Sequence, residues 1–133
     1  MGGGSKYKKF TELDVWRLSH TLRLRIYKMV MYLPQEEKYG MISQVCRSVS
    51  SIGANIAEGH GRFHYQENIQ FCRQARGSLL ETKDHLMFIR DAKLLVEVSP
   101  AGIDELLDVC DSIHAKLNGY IGYLKKRKQS DTN

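Results

Sequence analysis

The chain has 133 residues, 42% apolar and 26% charged, with a formal net charge of +5. That balance is ordinary for a folded globular chain, and the length suits one domain that buries a core without metals or disulfides. The apolar runs are only a few residues long, which excludes a membrane-spanning helix, and the basic lead from Gly2 to Lys9 has no apolar signal core.

The first helix is expected to begin near Thr11, a candidate N-cap, with Asp14 three residues on in a capping-box-like pattern. Trp16, Ser19, Leu22, Ile26, Val30 and Leu33 recur at threes and fours, the helical period, and Pro34 stops the run. Trp16 is expected in the core. A second helix runs from about Tyr39–Met41 to Gly59 on the stripe Ile42, Val45, Val49, Ile52 and Ile56, with Gly53 inside it. The third spans about Tyr65 to Lys93 on Ile69, Cys72, Ala75, Leu79, Thr82, Leu86 and Ile89. The fourth opens with Ser99 as N-cap and Pro100 at the first helical position, where a missing N–H costs nothing. Its stripe is Ile103, Leu106, Cys110, Ile113, Leu117, Ile121 and Leu124.

Helices one and four open with carboxylates and close with cations, which complements the helix dipole. The connections are short enough to make successive helices antiparallel. The expected fold is all-α, an up-down-up-down four-helix bundle over residues 10–124. A flexible basic lead (1–9) precedes it and a flexible basic tail (125–133) follows. Cys46, Cys72 and Cys110 are odd in number, widely spaced and on apolar faces, so they are read as small buried hydrophobes in a cytoplasmic protein.

On the second helix Gln44, Arg47, Ser48, Ser51, Asn55 and Glu58 form a narrow polar row beside the apolar stripe. Most of it is uncharged amide and hydroxyl, unlike an ordinary solvated face. Two readings stand, a plain surface row or a partly buried row at a helix or subunit contact, and the second is favoured because buried polar groups need partners. Glu58 and Glu81 are each expected to pair with an arginine such as Arg47 or Arg76.

Tyr39-Gly40, Gln44, Arg47, Ser51-Ile52, Asn55-Ile56-Ala57-Glu58-Gly59 and Gly61-Arg62 resemble the signature of the bacterial four-helix bundle protein family. Some members of that family are encoded in intervening sequences of large-subunit ribosomal RNA genes. Ala75-Arg76-Gly77-Ser78-Leu79 with Glu81 resembles its second motif, and Phe10, Leu13, Val15-Trp16 and Ile26-Tyr27 its first helix. The resemblance covers about Phe10 to Leu94 and extends to the last helix in pattern. Gly53 stands where a proline is common and Cys46 where a second arginine is common. The resemblance implies a homopentameric ring. It also implies kinship with the accessory variability proteins of diversity-generating retroelements, basic rings that bind a reverse transcriptase and nucleic acid.

No enzyme reading fills its roles. His60 and His64 have a metal-ligand spacing, but Gly59 and Gly61 break the helix around them and no carboxylate is in register. Gly59-His60-Gly61 is too short for a phosphate loop and no strand precedes it. No catalytic, metal or cofactor site is expected.

Residues 10 to 124 carry thirteen Lys or Arg against fourteen Asp or Glu, so the positive excess lies wholly in the flanks. In an up-down-up-down bundle the start of helix one, the turn between helices two and three, and the end of helix four share a pole. Lys6, Lys8, Lys9, Arg62, Lys125, Lys126, Arg127 and Lys128 are therefore expected to gather there, near His60 and His64. Such a pole suits the phosphate backbone of RNA or DNA with weak sequence preference. The aromatic residues fall mostly on core stripes, and no stacking platform is expected. Two functions follow: a nucleic-acid-binding accessory protein serving a reverse transcriptase, or a protein–protein scaffold ring in which the basic flanks are incidental.

Overall fold

A computed structural model describes residues 9–95 and 100–132. The expected cap Ser99 and the cations Lys6 and Lys8 lie outside the described residues.

Four long helices account for most of the chain: α1 (Asp14–Met29), α2 (Met41–His60), α3 (Tyr65–Asp91) and α4 (Pro100–Thr132). Single 3-10 turns precede α1 at Phe10–Glu12 and follow it at Val30–Tyr32 and Gln35–Glu37. The pairs in contact are α1 with α2 and α4, and α3 with α2 and α4, so α1 and α3 are diagonal. The predicted stripes fill the centre. Leu22, Ile26, Ile52, Ile56, Ile69, Leu79, Leu86, Ile89, Ile113 and Leu117 are sealed from solvent, as are Cys72 and Cys110. Burial pushes both of these thiols up to about 12. It also raises Cys46, against a partial offset from the Tyr27 hydroxyl and Arg23.

Several local expectations are corrected. Thr11 does not cap α1. It lies in the first 3-10 turn, where its carbonyl accepts from Arg17 Nε at 2.8 Å, and Leu13, in extended conformation, precedes the helix. That turn closes when Glu12 Oε1 accepts from the Lys9 amide at 2.8 Å. Trp16 is half-buried rather than in the core. Its indole stacks on His20 at 4.8 Å, meets the edge of Phe10 at 5.3 Å, and covers Gly53, where a Cβ would stand 3.3 Å from Nε1. The α3 helix ends at Asp91 and reverses through Lys93, which takes a left-handed φ of 55° while the Leu94 amide donates to the Ile89 carbonyl at 3.1 Å. This is the six-residue closure that usually recruits glycine.

The segment read as a flexible tail is helical as far as Thr132. Leu124 is its last buried apolar residue, as expected. Eight residues of α4 therefore continue past the core, about 12 Å at 1.5 Å per residue.

Candidate nucleic-acid interface

The close approach of α2 to α3 organises the pole. A Cβ on Gly59 would fall 2.7 Å from Asn68 Oδ1 and 2.8 Å from Phe71 Cβ, distances that side chains do not tolerate. Glycine lets the two helices meet there, and the chain reverses over Gly61–His64 directly after. Asn68 is thereby held inside, where its Nδ2 donates to Tyr120 Oη at 3.3 Å and its Oδ1 accepts from Cys72 Sγ at 3.5 Å. Farther along the same seam the Thr82 hydroxyl lies 2.8 Å from both Ser48 Oγ and the Ser78 carbonyl. Small and polar residues, in place of aliphatic ones, thus set the α2–α3 spacing.

In front of Asn68 lies a cleft of about 280 Å³ lined by Leu13, His60, Arg62, Phe63, His64, Tyr65, Asn68, Tyr120, Tyr123 and Leu124. The start of α1, the α2–α3 turn and the end of α4 do meet at one pole. What they enclose is rich in aromatic side chains, and Phe63 and Tyr123 lie off the core stripes on which most of the aromatics were expected. Phe63 is 88% exposed and Tyr123 50% exposed. Phe63 packs edge-on against His64 at 5.0 Å, and Tyr123 lies near-parallel to Tyr120 at 6.3 Å. A second, basic groove of about 420 Å³ lies between α3 and the projecting end of α4, lined by Gln66, Ile69, Arg73, Lys125, Lys128 and Gln129.

The predicted cations divide by surroundings. Lys125, Lys126 and Lys128 are exposed on the projecting helix, and Lys128 Nζ donates to Gln66 Oε1 at 2.6 Å. Arg127 is half-buried; a hydrogen bond to Tyr65, followed by charge interactions with Tyr65, Tyr123 and Asp131, holds its guanidinium above its ordinary value. Its Nε is enclosed without a hydrogen-bond partner. Consecutive residues on a helix are 100° apart, so these four cations surround α4 instead of lining one side. Arg62 lies over the Phe71 ring at 4.8 Å and 3.6 Å from Glu58. Lys9 is exposed at the start of the first turn.

The polar row of α2 is partly buried, as favoured: Ser48 is enclosed against Thr82 of α3. Gln44, Arg47 and Glu58 are exposed, and Ser51 and Asn55 are half-buried, with Asn55 Nδ2 folded back onto the Ser51 carbonyl at 2.8 Å. The expected carboxylate–arginine pairs do not form as written. Glu58 pairs with Arg62 one turn on, Glu81 faces His85 Nε2 at 3.4 Å, and Arg76 instead donates to Asn118 Oδ1 of α4 at 2.8 Å.

Sequence reasoning passed over Phe63, Tyr65, Asn68, Arg73, Tyr120 and Tyr123. The i, i+3 pair Tyr120 and Tyr123, and the exposed aromatics just after a glycine-flanked helix end, were the available signals. Among the described residues no group of three His, Cys, Asp or Glu side chains could hold a metal ion, and no helix is long and apolar enough to cross a membrane.

Comparison with known proteins accounts for the motif content. Residues 11–119 match the 23S rRNA-intervening sequence protein family. The chain is also similar to a solved structure from Bacteroides thetaiotaomicron, a protein of unknown function from the S23 ribosomal protein family. The two share 26% identity over 80% of this chain and 97% of that one, with a TM-score of 0.70. No curated protein matches.

Proposed function

The chain belongs to the 23S rRNA-intervening sequence protein family, and from that premise we propose that it is a non-catalytic nucleic-acid-binding protein that grips phosphate backbones with the pole described above. The observation that carries this reading is the chemistry holding the cations there. Arg127 is bonded to Tyr65 and Lys128 to Gln66, and Arg62 lies over the face of Phe71 beside a single carboxylate, Glu58. Lys125, Lys126 and Arg73 stand exposed close by. Rings and amides orient a cation without cancelling its charge, so the pole keeps a positive field that attracts polyanions and releases their counterions on contact.

The reading includes a homopentameric ring, which the resemblance implies. A closed ring needs two different patches on each protomer. The diagonal helices offer them, with Leu24 and Tyr27 exposed on α1, Met31 on the turn after it, and Leu80, Met87 and Phe88 exposed on α3. The row Gln44, Arg47, Ser51, Asn55 and Glu58 would then border a subunit contact. A reverse transcriptase as protein partner rests on the resemblance alone.

Binding of labelled RNA and DNA, followed by anisotropy across a salt titration, tests the reading. Affinity is expected to fall steeply with salt. Deleting residues 125–133 is expected to lower the slope of log K against log salt by about 3, for the four cations removed. The fold should persist, because Leu124 is the last buried apolar residue. An unchanged slope and affinity would remove the pole from the reading. Light scattering on the same samples reads the assembly, and a stable monomer would overturn the ring.

A further inference from the structure

The aromatic cleft differs in kind from the cations around it, because phosphate contact has no use for stacked rings. We propose that it takes one unpaired nucleotide out of a single strand, so that the protein prefers single-stranded nucleic acid to duplex. This inference rests on the nucleic-acid reading above and adds the form of the ligand.

Three observations converge. The first is exposure in a confined place. Phe63 stands 88% exposed on the α2–α3 turn, and Tyr123 faces the same cleft from α4 at 50% exposure. Large rings left in water beside a concavity are what an inserted base needs, since every base has a π-face to stack. The second is size. At about 280 Å³ the cleft falls just below the ~300–1,000 Å³ of sites for drug-sized molecules. That volume suits one flat base and excludes a duplex, whose bases remain stacked inside it.

The third is polar furnishing in the right order. The floor is Asn68, whose amide keeps a second N–H and a second lone pair beyond its bonds to Tyr120 and Cys72. These can meet the hydrogen-bonding edge of a base. The mouth carries Arg62, His60 and His64, and the basic groove of Arg73, Lys125 and Lys128 begins one residue further along α3, at Gln66. A strand whose base enters the cleft can therefore carry its flanking phosphates onto cations on either side of Tyr65.

Anisotropy with a short single strand and a duplex of equal length, each made as RNA and as DNA, tests this with the full chain at fixed salt. The wild-type chain should bind the single strand more tightly. Phe63→Ala and Tyr123→Ala should each weaken single-strand binding by about 5- to 150-fold, the equivalent of one lost base stack, and leave duplex binding and the salt slope unchanged. Phe63→Tyr should restore affinity. Both positions are solvent-facing, so circular dichroism should show an intact fold. A strand carrying 5-iodouracil should photo-crosslink to Phe63 or Tyr123, read by mass spectrometry. Tight binding of both RNA and DNA single strands supports a base-and-phosphate contact, and binding of RNA alone supports the same contact with the ribose hydroxyl included. Equal losses on single strand and duplex, or no loss on either, would overturn the cleft as a base site while leaving backbone binding standing. A change of mass by light scattering in Phe63→Ala with unaltered single-strand affinity would assign the cleft to a second copy of the chain. If the wild-type chain binds neither form, the broader reading falls and this one with it.

Discussion

Both ends of the bundle carry cations, and they differ in what holds them. Where α1 finishes and α4 begins, Arg25 reaches Glu105 at 3.2 Å, and Arg90 takes both Asp91 and Asp104 at 3.0 Å. Those carboxylates hold the Arg90 guanidinium above its ordinary value. Where α2 turns into α3, the partners are Tyr65, Gln66, the ring of Phe71 and a single carboxylate, Glu58, 3.6 Å from Arg62. Exposed ion pairs contribute only about 0–1 kcal/mol each, so the first end gains little stability from its pairs. What it gains is a cancelled field. The second end cancels less: Glu58 offsets Arg62, while Arg127 and Lys128 are oriented by a phenol and an amide that leave their charge in place. Two surfaces of similar composition thus differ in how much of their positive charge is cancelled.

Substitutions at each end can break this contrast. The largest expected effect is at the cleft. Gly59→Ala forces a methyl against Asn68 and Phe71, and overpacking of that kind costs about 1–3 kcal/mol. Thermal melting should register the loss, and single-strand binding should weaken as Asn68 is displaced; an unaltered melting temperature would mean that the seam relaxes and glycine is not what fixes it. At the opposite end Lys93 occupies a left-handed conformation that penalises any side chain. Lys93→Gly should raise stability by about 1 kcal/mol, with nucleic-acid binding untouched. Urea denaturation measures the gain, and a loss would mean that the lysine side chain has a role that its backbone angle conceals. The smallest change in stability, below about 1 kcal/mol, is expected for the double variant Asp104→Asn with Glu105→Gln. It uncovers Arg25 and leaves Arg90 with Asp91 alone, so affinity for duplex at low salt should rise and the salt dependence steepen. If binding does not move, cancellation at that end has no bearing on polyanion binding.

The helices were legible because their cores repeat at threes and fours. Leu22, Ile56, Leu79 and Leu117 sit where periodicity put them. The pole was legible as topology, since antiparallel order alone brings Leu13, His64 and Leu124 together. Its aromatic character was not. Phe63 lies in a turn and belongs to no stripe, and Tyr65, Tyr120 and Tyr123 form one wall only when residues more than fifty positions apart are brought side by side. Asn68 was hidden for a related reason, because only the glycine opposite it reveals that it is buried. The end of α4 was missed because the apolar signal stops at Leu124, whereas Lys, Arg and Gln favour helix without any core beneath them.

That end of α4, which has no apolar core beneath it, has a phase as well as a length. The costly step of helix nucleation is met far back in the bundle, and each further residue only propagates what exists. The end can therefore lengthen or shorten one residue at a time without disturbing the core. Each such step moves Lys125 to Lys128 by about 1.5 Å along the axis and also turns the whole set by about 100°. A single insertion after Leu124 would carry Lys128 away from Gln66 and bring a different cation to the groove, with composition and net charge unchanged. In this protein the spacing after the last core leucine is itself an address, because it decides which of the four cations meets the groove.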